Sequence, residues 1–185
     1  MNKTENQETA WQDARDSFIA QWGSIGSAWG INRTMAQIHA LLIVASHPLT
    51  TDNIMAELKI SRGNAHSNLR ELISWGLVKS VIRKGERKEY FVAEKEVWKM
   101  FCTIARERKR REIDPALEAL THCYEKTKKL KGHEARDFNQ QIKSLKNFLE
   151  LAGNTMEKIT ALEHNQWLAL ALKMLKIKNH ETHYS

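Results

Sequence analysis

Apolar side chains recur at helical spacing near the start of the chain. Each step along this stripe is three or four residues, which places the side chains on one face of a helix. The stripe consists of Trp11, Ala14, Phe18, Trp22, Ile25 and Trp29. Gly30 follows the last tryptophan, and glycine is common just after a helix end. We therefore predict an amphipathic N-terminal helix that ends near residue 30.

Three shorter helices are predicted between this stripe and residue 76. Small polar residues precede them, and such residues accept hydrogen bonds from the first N–H groups of a helix. These residues are Asn32, Thr50 or Thr51, and Ser61. His47-Pro48 ends the first helix because proline disfavours helix in the residue before it. Gly76, which follows Trp75, ends the third.

The pattern becomes extended after Gly76. Leu77–Ile82 and Lys88–Ala93 are rich in aliphatic, β-branched and aromatic residues, and a charged turn containing Gly85 separates them. Two such runs around a glycine-containing turn predict a β-hairpin.

Helical spacing returns from Glu94 onward. Asp114-Pro115 restarts or kinks this helix, since proline is well accommodated at a first helical position. Gly132 and Gly153 are predicted to end helices, and a last helix is predicted over roughly 155–177.

These elements predict a mainly α fold with a small β-hairpin wing, namely a winged helix-turn-helix flanked by N- and C-terminal dimerisation helices. Residues 1–30 would form an N-terminal dimerisation helix, and residues 31–93 a DNA-binding winged helix-turn-helix. Residues 94–185 would form a C-terminal helical region for dimerisation and effector binding.

Positive charge is concentrated in the middle of the chain. The 185 residues carry a net charge of +7 at neutral pH. Residues 61–93 have seven basic and three acidic side chains, and residues 94–131 have eleven and seven. A localised positive field favours a polyanion as partner, although a lysine-rich solvated surface has the same composition.

Several classes of protein are excluded or disfavoured. The cysteines Cys102 and Cys123 are too few for a disulfide scaffold or a four-thiolate zinc site, and they fit a reducing cytoplasm. The polar N-terminus does not resemble a signal peptide, and the apolar runs are too short to cross a membrane. We find no phosphate-binding glycine loop, nucleophile elbow or paired carboxylates, so we expect no enzyme, catalytic residue, cofactor or metal.

The helix that follows Ser61 has two faces. At 100° per residue, its apolar side chains cluster on one side and are predicted to point to the core. These are Ala65, Leu69, Leu72 and Ile73. The opposite side is small and polar, which suits the major groove of DNA. Its candidate DNA-binding residues are Arg62, Asn64, Ser67 and Arg70, with His66 and Asn68 on the flanks.

The predicted hairpin adds a second basic surface. Its turn can project toward DNA phosphates or the adjacent minor groove. The candidate residues are Arg83, Lys84, Arg87 and Lys88. The alternative is a winged-helix interaction module whose basic faces dock an acidic protein.

Residues 30–93 resemble the GbsR-like branch of the MarR family. The segments that carry this resemblance are Gly30-Ile31-Asn32-Arg33-Thr34, Ser61-Arg62-Gly63-Asn64-Ala65, Asn68-Leu69-Arg70-Glu71-Leu72 and Trp75-Gly76-Leu77-Val78. The resemblance implies a cytoplasmic homodimer that binds a pseudo-palindromic double-stranded operator, usually as a repressor. Its better-known members control genes for compatible solutes such as glycine betaine, and some of them sense choline.

The flanking helices are rich in aromatic residues. Aromatic faces can enclose a quaternary ammonium ion through cation–π attraction, but stripes of this kind also pack dimer cores. The candidate ligand residues are Trp22, Trp29, Trp98, Phe101 and Tyr124.

The densest basic cluster lies at residues 106–111. Five basic residues in six must surround a helix, so they cannot all face DNA. We expect a solvated linker helix in which some arginines pair with Glu107 and Glu112, rather than a second DNA contact.

Overall fold

A computed structural model of the protein describes residues 3–162, with side chains from residue 7 onward. The chain divides into two compact units, Met1–Met100 and Phe101–Ser185. The part of the predicted last helix that follows residue 162 lies outside the described residues.

The first unit consists of an N-terminal helix, a helix-turn-helix and a hairpin. Helix α1 spans Lys3–Ala28. The following elements are α2 (Arg33–Val44), β1 (Leu49–Thr50), α3 (Thr51–Leu58), α4 (Arg62–Trp75), β2 (Val78–Ile82) and β3 (Glu89–Ala93). This order confirms the predicted winged helix-turn-helix fold.

The helices begin at the polar residues that the sequence indicated. The side chains of Asn32 and Ser61 each accept a hydrogen bond from the N–H three residues later, at 3.1 and 3.3 Å. Thr50 and Asn53 form a reciprocal pair, in which each side chain accepts from the backbone N–H of the other. A cap of this kind contributes about 1 kcal/mol. Gly76 then closes α4 in the left-handed conformation, with φ of 78°.

The sheet has the strand order β1-β3-β2, and both pairs are antiparallel. The hairpin pairs Val78 with Ala93 and Ile82 with Glu89. Strand β1 adds Leu49 opposite Phe91. The sequence pattern missed β1 because two residues are too few to show the alternation that marks a strand.

The core of this unit lies between α2, α3, α4 and the sheet. Its largest fully enclosed side chains are Ile38, Leu42, Ile54, Leu69, Leu72 and Val78. Burying each of them stabilises the fold by about 1.5–3 kcal/mol. His39 is enclosed as well, and its Nε2 has no hydrogen-bond partner among the described residues. This burial lowers the pKa of His39 to about 4, so the ring is neutral at pH 7.

Helix α1 packs on α2 through a face of small residues. A Cβ placed on Gly26 would lie 2.6 Å from the Ala36 Cβ, and one on Gly23 would lie 2.6 Å from the Gln37 Cγ. Ile19 is buried on the same side of α1. The predicted apolar stripe lies on another side, where Trp11, Ile25 and Trp29 are 58%, 48% and 66% exposed.

The described residues of the second unit form helices, with a connecting turn at residues 128–132. Helix α5 (Val97–Arg108) begins in the first unit, and a π-helical turn (Lys109–Ile113) follows it. Helix α6 (Asp114–Thr127) starts with Pro115 in its first turn, as predicted. Helix α7 spans His133–Ala161 after Gly132, whose φ is 124°. Among the described residues, no helix has both the length and the apolarity needed to span a membrane.

Gly153 does not end a helix, which corrects the sequence prediction. It is buried within α7, and a Cβ at this position would lie 3.4 Å from the Lys109 Cε and 3.5 Å from the Ile113 Cγ2. A glycine inside a helix costs about 1 kcal/mol relative to alanine. At Gly153 the helix packs closely against the π-helical turn. The residues around position 153 could not predict this contact, because its partners are about 40 residues away in the chain.

Candidate nucleic-acid interface

Helix α4 exposes the polar face that the sequence indicated. The exposed side chains of its first three turns include Arg62, Asn64, His66, Ser67 and Arg70. Ala65, Leu69 and Leu72 are at most 1% exposed, so they hold the opposite face against the core. Ile73 was expected in the core but is 37% exposed. It lies at the side of α4, where the helix borders the sheet.

The Asn68 side chain is buried, although the sequence predicted it on the exposed flank of this helix face. It is 6% exposed, and its Nδ2 lies 2.8 Å from the Asn64 carbonyl oxygen and 2.6 Å from the Asn64 Oδ1. A direct base contact from Asn68 does not fit this burial. Its hydrogen bonds instead act on Asn64, which is exposed. The spacing of four residues on a helix was the signal that could have revealed this pair.

Arg62 is held at the N-terminal end of α4 by a carboxylate of the preceding helix. Its Nη2 lies 2.6 Å from the Asp52 Oδ1, and both side chains are well exposed. Exposed ion pairs of this kind contribute at most about 1 kcal/mol. A DNA phosphate can therefore compete for Arg62. Asp52, ten residues before Arg62, was not among the residues predicted for this surface.

The turn between α3 and α4 sets the position of the polar face. Lys59 adopts the left-handed conformation with φ of 53°, and the Ile60 N–H donates to the Met55 carbonyl oxygen at 3.3 Å. The left-handed residue and this hydrogen bond end α3, and the chain then turns directly into the cap at Ser61. The polar N-terminal end of α4 is thereby fixed beside the first turn of α3.

The hairpin turn, residues 83–88, is called the wing tip below. Lys84, Arg87 and Lys88 are exposed, and none of them has an ion-pair partner within residues 3–162. Arg83 differs, because its guanidinium lies 4.4 Å from the centre of the Tyr90 ring. The Tyr90 hydroxyl donates to Glu86, and this hydrogen bond raises the pKa of Tyr90.

The polar face of α4 and the wing border one another. His66, Arg70 and Ile73 of α4 line a cavity of about 280 Å³ together with Glu89 and Phe91 of β3. Arg70 therefore lies beside the strand that leads out of the wing tip. The first unit therefore presents a polar helix edge next to a cationic hairpin.

The five aromatic ligand candidates fall in both units. Trp22 is half-buried and packs against Phe18, with ring centroids 5.5 Å apart. Trp29 and Phe101 are 66% and 47% exposed, and Trp98 and Tyr124 are half-buried. The three tryptophans belong to the first unit, whereas Phe101 and Tyr124 belong to the second.

Residues 106–111, called the basic segment below, are tied to acceptors. Glu107 is 8% exposed and lies 2.5 Å from both the Arg110 Nη2 and the Arg111 Nε. The hydrogen bond from Arg110 lowers the pKa of Glu107. Arg108 pairs with Glu112 at 3.4 Å. The predicted pairing of these arginines with Glu107 and Glu112 is confirmed.

Lys109 completes this network within the second unit. Its Nζ lies 2.7 Å from the Asp114 Oδ1 and 2.9 Å from the Glu157 Oε1, and these hydrogen bonds raise the pKa of Lys109. Arg106 donates to the Thr160 carbonyl oxygen at 3.4 Å. The Lys109–Glu157 ion pair thus ties the π-helical turn to α7, and the Arg106 hydrogen bond ties the end of α5 to the same helix.

A helix-turn-helix with a polar second helix and a basic wing is typical of DNA-binding transcriptional regulators. Comparisons with known proteins agree with this class. The MarR family model matches residues 29–88. The HTH-type transcriptional repressor GbsR of Bacillus subtilis (strain 168) is 26% identical over 141 residues, which cover 76% of this chain and 77% of that protein.

A solved structure supports the same fold. The crystal structure of a transcriptional regulator superposes with a TM-score of 0.66 at 17% identity, and the match covers 80% of this chain and 95% of that chain. Residues 29–88 thus match the MarR family, and the similarity to the GbsR repressor extends over most of the chain.

Proposed function

We propose that this protein is a sequence-specific repressor that binds operator DNA with α4 in the major groove and the wing tip on the flanking backbone. The observation that carries the proposal is the cavity shared by α4 and β3, because it brings Arg70 next to the wing. A protein of this kind acts on the chromosome, so a cytoplasmic location is part of the proposal.

The two surfaces would have different tasks. Exposed side chains of α4 can reach base edges or nearby phosphates, as major-groove readers do. This set consists of Arg62, Asn64, His66, Ser67 and Arg70. The wing tip would hold the phosphates or enter the adjacent minor groove through Arg83, Lys84, Arg87 and Lys88.

Dimerisation is the second part of the proposal. One winged helix reads few base pairs, and two copies could address half-sites about 34 Å apart. Exposed apolar side chains on both flanking regions are available for a second copy of this chain. On α1 they include Trp11 and Ile25, and on α7 they include Phe138, Leu145, Phe148 and Leu151.

We assign the contacts between subunits to residues 1–30 and 94–185. Light scattering at micromolar concentration is expected to give twice the mass of one 21.4 kDa chain. A single-chain mass would contradict this assignment.

The effector proposed here is a quaternary ammonium solute, and the regulated genes would serve compatible solutes. This proposal depends on the likeness to GbsR and on aromatic residues that include Trp22, Trp29, Trp98, Phe101 and Tyr124. Isothermal titration with choline and with glycine betaine tests it. Heat release that is lost in Trp22→Ala would support it, and no heat at millimolar solute would remove it.

DNA binding is tested by sequencing genomic fragments that the purified protein retains. Enrichment of one promoter region with an inverted repeat is the expected result. Retention of fragments without any shared sequence, together with salt-sensitive binding to an acidic protein, would favour the interaction-module alternative. Repeating the selection with choline or glycine betaine present shows whether the solute releases the DNA.

A further inference from the structure

Asn64 and Asn68 meet across one turn of α4 at the edge of the polar face. The Asn68 Nδ2 lies 2.8 Å from the Asn64 carbonyl oxygen and 2.6 Å from the Asn64 Oδ1. An amide nitrogen carries two hydrogens, so both bonds can form at once. Asn68 is 6% exposed, whereas Asn64 is exposed.

The backbone fixes the orientation of both amides. If the Asn68 amide were turned over, its own oxygen would face the Asn64 carbonyl oxygen, and two acceptors cannot form a hydrogen bond. The Asn64 carbonyl therefore holds the Asn68 NH2 group in place. That NH2 group in turn holds the Asn64 Oδ1 on the inner side, so the Asn64 NH2 group is directed away from Asn68.

We propose that Asn68 is a positioning residue that makes Asn64 a hydrogen-bond donor to a base edge. The inference rests on the proposed function, in which the exposed face of α4 enters the major groove. The acceptors available there are purine N7, guanine O6 and thymine O4. An asparagine that uses both ends of its amide pairs with adenine N7 and its amino group. Because only its NH2 group faces outward, Asn64 can bond only to the acceptor atoms of a base.

The experiment first finds the base position that depends on Asn64, by comparing the sequences that the wild type and Asn64→Ala select. Base analogues are then placed at that position in a labelled duplex. One set lacks an acceptor: 7-deazapurine without N7, 2-aminopurine in place of guanine without O6, and 4-thiothymine with a weak acceptor. The other set lacks an amino group: purine in place of adenine, and 2-pyrimidinone in place of cytosine.

Wild-type affinity is expected to fall by about tenfold for at least one acceptor-deficient analogue and to change less than about twofold without the amino group. Asn64→Ala is expected to respond to neither set. A loss of wild-type affinity on removal of the amino group would overturn the inference, whether it occurs alone or together with the other loss.

Substitutions of Asn68 test whether it is the residue that sets this orientation. Asn68→Asp supplies an acceptor and gives up the hydrogen bond to the Asn64 carbonyl oxygen, so the Asn64 NH2 group is expected to turn inward and the sensitivity to move to the amino-deficient set. Asn68→Leu is expected to abolish the difference between the sets. The matched control is Ser74→Ala, which removes a side-chain hydrogen bond of 2.8 Å to the Glu71 carbonyl of the same helix. The control is expected to keep the wild-type profile.

Equal loss of affinity for every analogue in the Asn68 variants, with folding verified by circular dichroism, would mean that Asn68 is only structural. If the Asn68 variants do not fold, the DNA affinity of Asn64→Asp tests the inference instead. This variant retains an acceptor for Asn68 but has no donor for a base. It is expected to lose about tenfold at the same base position. No loss with Asn64→Asp would overturn the inference.

The design separates the two proposals. If Arg70→Ala changes sequence preference while Asn64→Ala changes none, the positioning role is wrong and the DNA-binding function stands. If no duplex is bound selectively by the wild type, both are wrong.

Discussion

The wing tip and the basic segment are both rich in basic residues, but they differ in how many of these residues are ion-paired. At the wing tip, Lys84, Arg87 and Lys88 have no ion-pair partner within residues 3–162. In the basic segment, Glu107 alone pairs with Arg110 and Arg111, and Lys109 has two acidic partners. The segment with more cations therefore has less positive charge available to a polyanion.

The difference shows that pairing, rather than the density of basic residues, identifies a nucleic-acid surface. A cation that neutralises a phosphate releases a counterion, and this release supplies much of the affinity. A cation already paired with a carboxylate must first give up that partner. Substitutions in the two regions should therefore have unlike effects on DNA affinity.

The largest effect is expected from removing the unpaired cations. Replacing Lys84, Arg87 and Lys88 together with Ala should lower DNA affinity by roughly 100-fold near 0.1 M salt. The slope of log affinity against log salt should become shallower by about 2.7, because three phosphate contacts are lost. Fluorescence anisotropy across a salt series measures both quantities.

The matched control for this variant is Arg110→Ala combined with Arg111→Ala. It removes two cations that are already paired, so it should change the affinity less than about threefold and leave the salt slope unaltered. A loss comparable to that of the wing variant would refute the contrast between the two regions.

The two regions should also respond to acid in different pH ranges. In the unit that carries the wing, His39 has a pKa of about 4, below the unfolded value of 6.5. The unfolded chain therefore binds the proton more readily, and stability is fully present above pH 6.5 and falls as the pH drops toward 4. Between pH 7 and 5 the loss should be about 2 kcal/mol.

Urea unfolding of the wild type and of His39→Leu at pH 7 and pH 5 measures this contribution. The apolar variant should lose much less stability over that interval. If both proteins lose the same free energy, groups other than His39 are responsible.

Glu107 should contribute to stability at moderate pH and lose that contribution only in stronger acid. Its pKa is lowered from 4.5, chiefly by the hydrogen bond from Arg110, so its contribution is present above the unfolded pKa of about 4.5. It disappears as the pH falls through the lower folded value. At pH 7, Glu107→Gln should destabilise the protein by about 1–2 kcal/mol, which chemical denaturation detects.

The Glu107→Gln effect should shrink when the pH is lowered from 5 to 3. An effect of constant size over that range would mean that Glu107 acts through shape rather than charge. Operator affinity at neutral pH should remain close to that of the wild type, because the basic segment is outside the proposed DNA surface.

The smallest effect concerns Arg62, a paired cation inside the proposed DNA surface. Asp52→Ala releases Arg62 and removes a negative charge beside it. DNA affinity should rise by about threefold, while stability changes by less than about 1 kcal/mol. Asp52→Asn is the gentler form of the same test, and unaltered affinity in both variants would show that Arg62 does not meet DNA.

Local signals in the sequence were enough to predict the winged helix. The caps at Asn32, Thr50 and Ser61 and the glycine at Gly76 each satisfy backbone groups within a few residues, so a short window contains the information. The pairs in the basic segment were predictable for the same reason, since residues three or four apart on a helix are neighbours.

Features that depend on distant packing were not predictable in this way. Gly153 continues a helix that is packed against Lys109 and Ile113. The apolar stripe of α1 did not indicate the close approach to α2, which occurs at Gly23 and Gly26. The burial of Asn68 follows from where the core lies, so the polar character of its side chain alone suggested a surface role.

The most direct measurement compares Arg70→Ala with Lys84→Ala on a selected operator and on an unrelated duplex of equal length. The Arg70 variant should lose most of the preference for the operator, because a side chain that reads bases carries sequence information. The Lys84 variant should weaken binding to both duplexes by the same factor and make the salt slope shallower by about 0.9. Wild-type affinities and an unchanged preference in both variants would contradict the account.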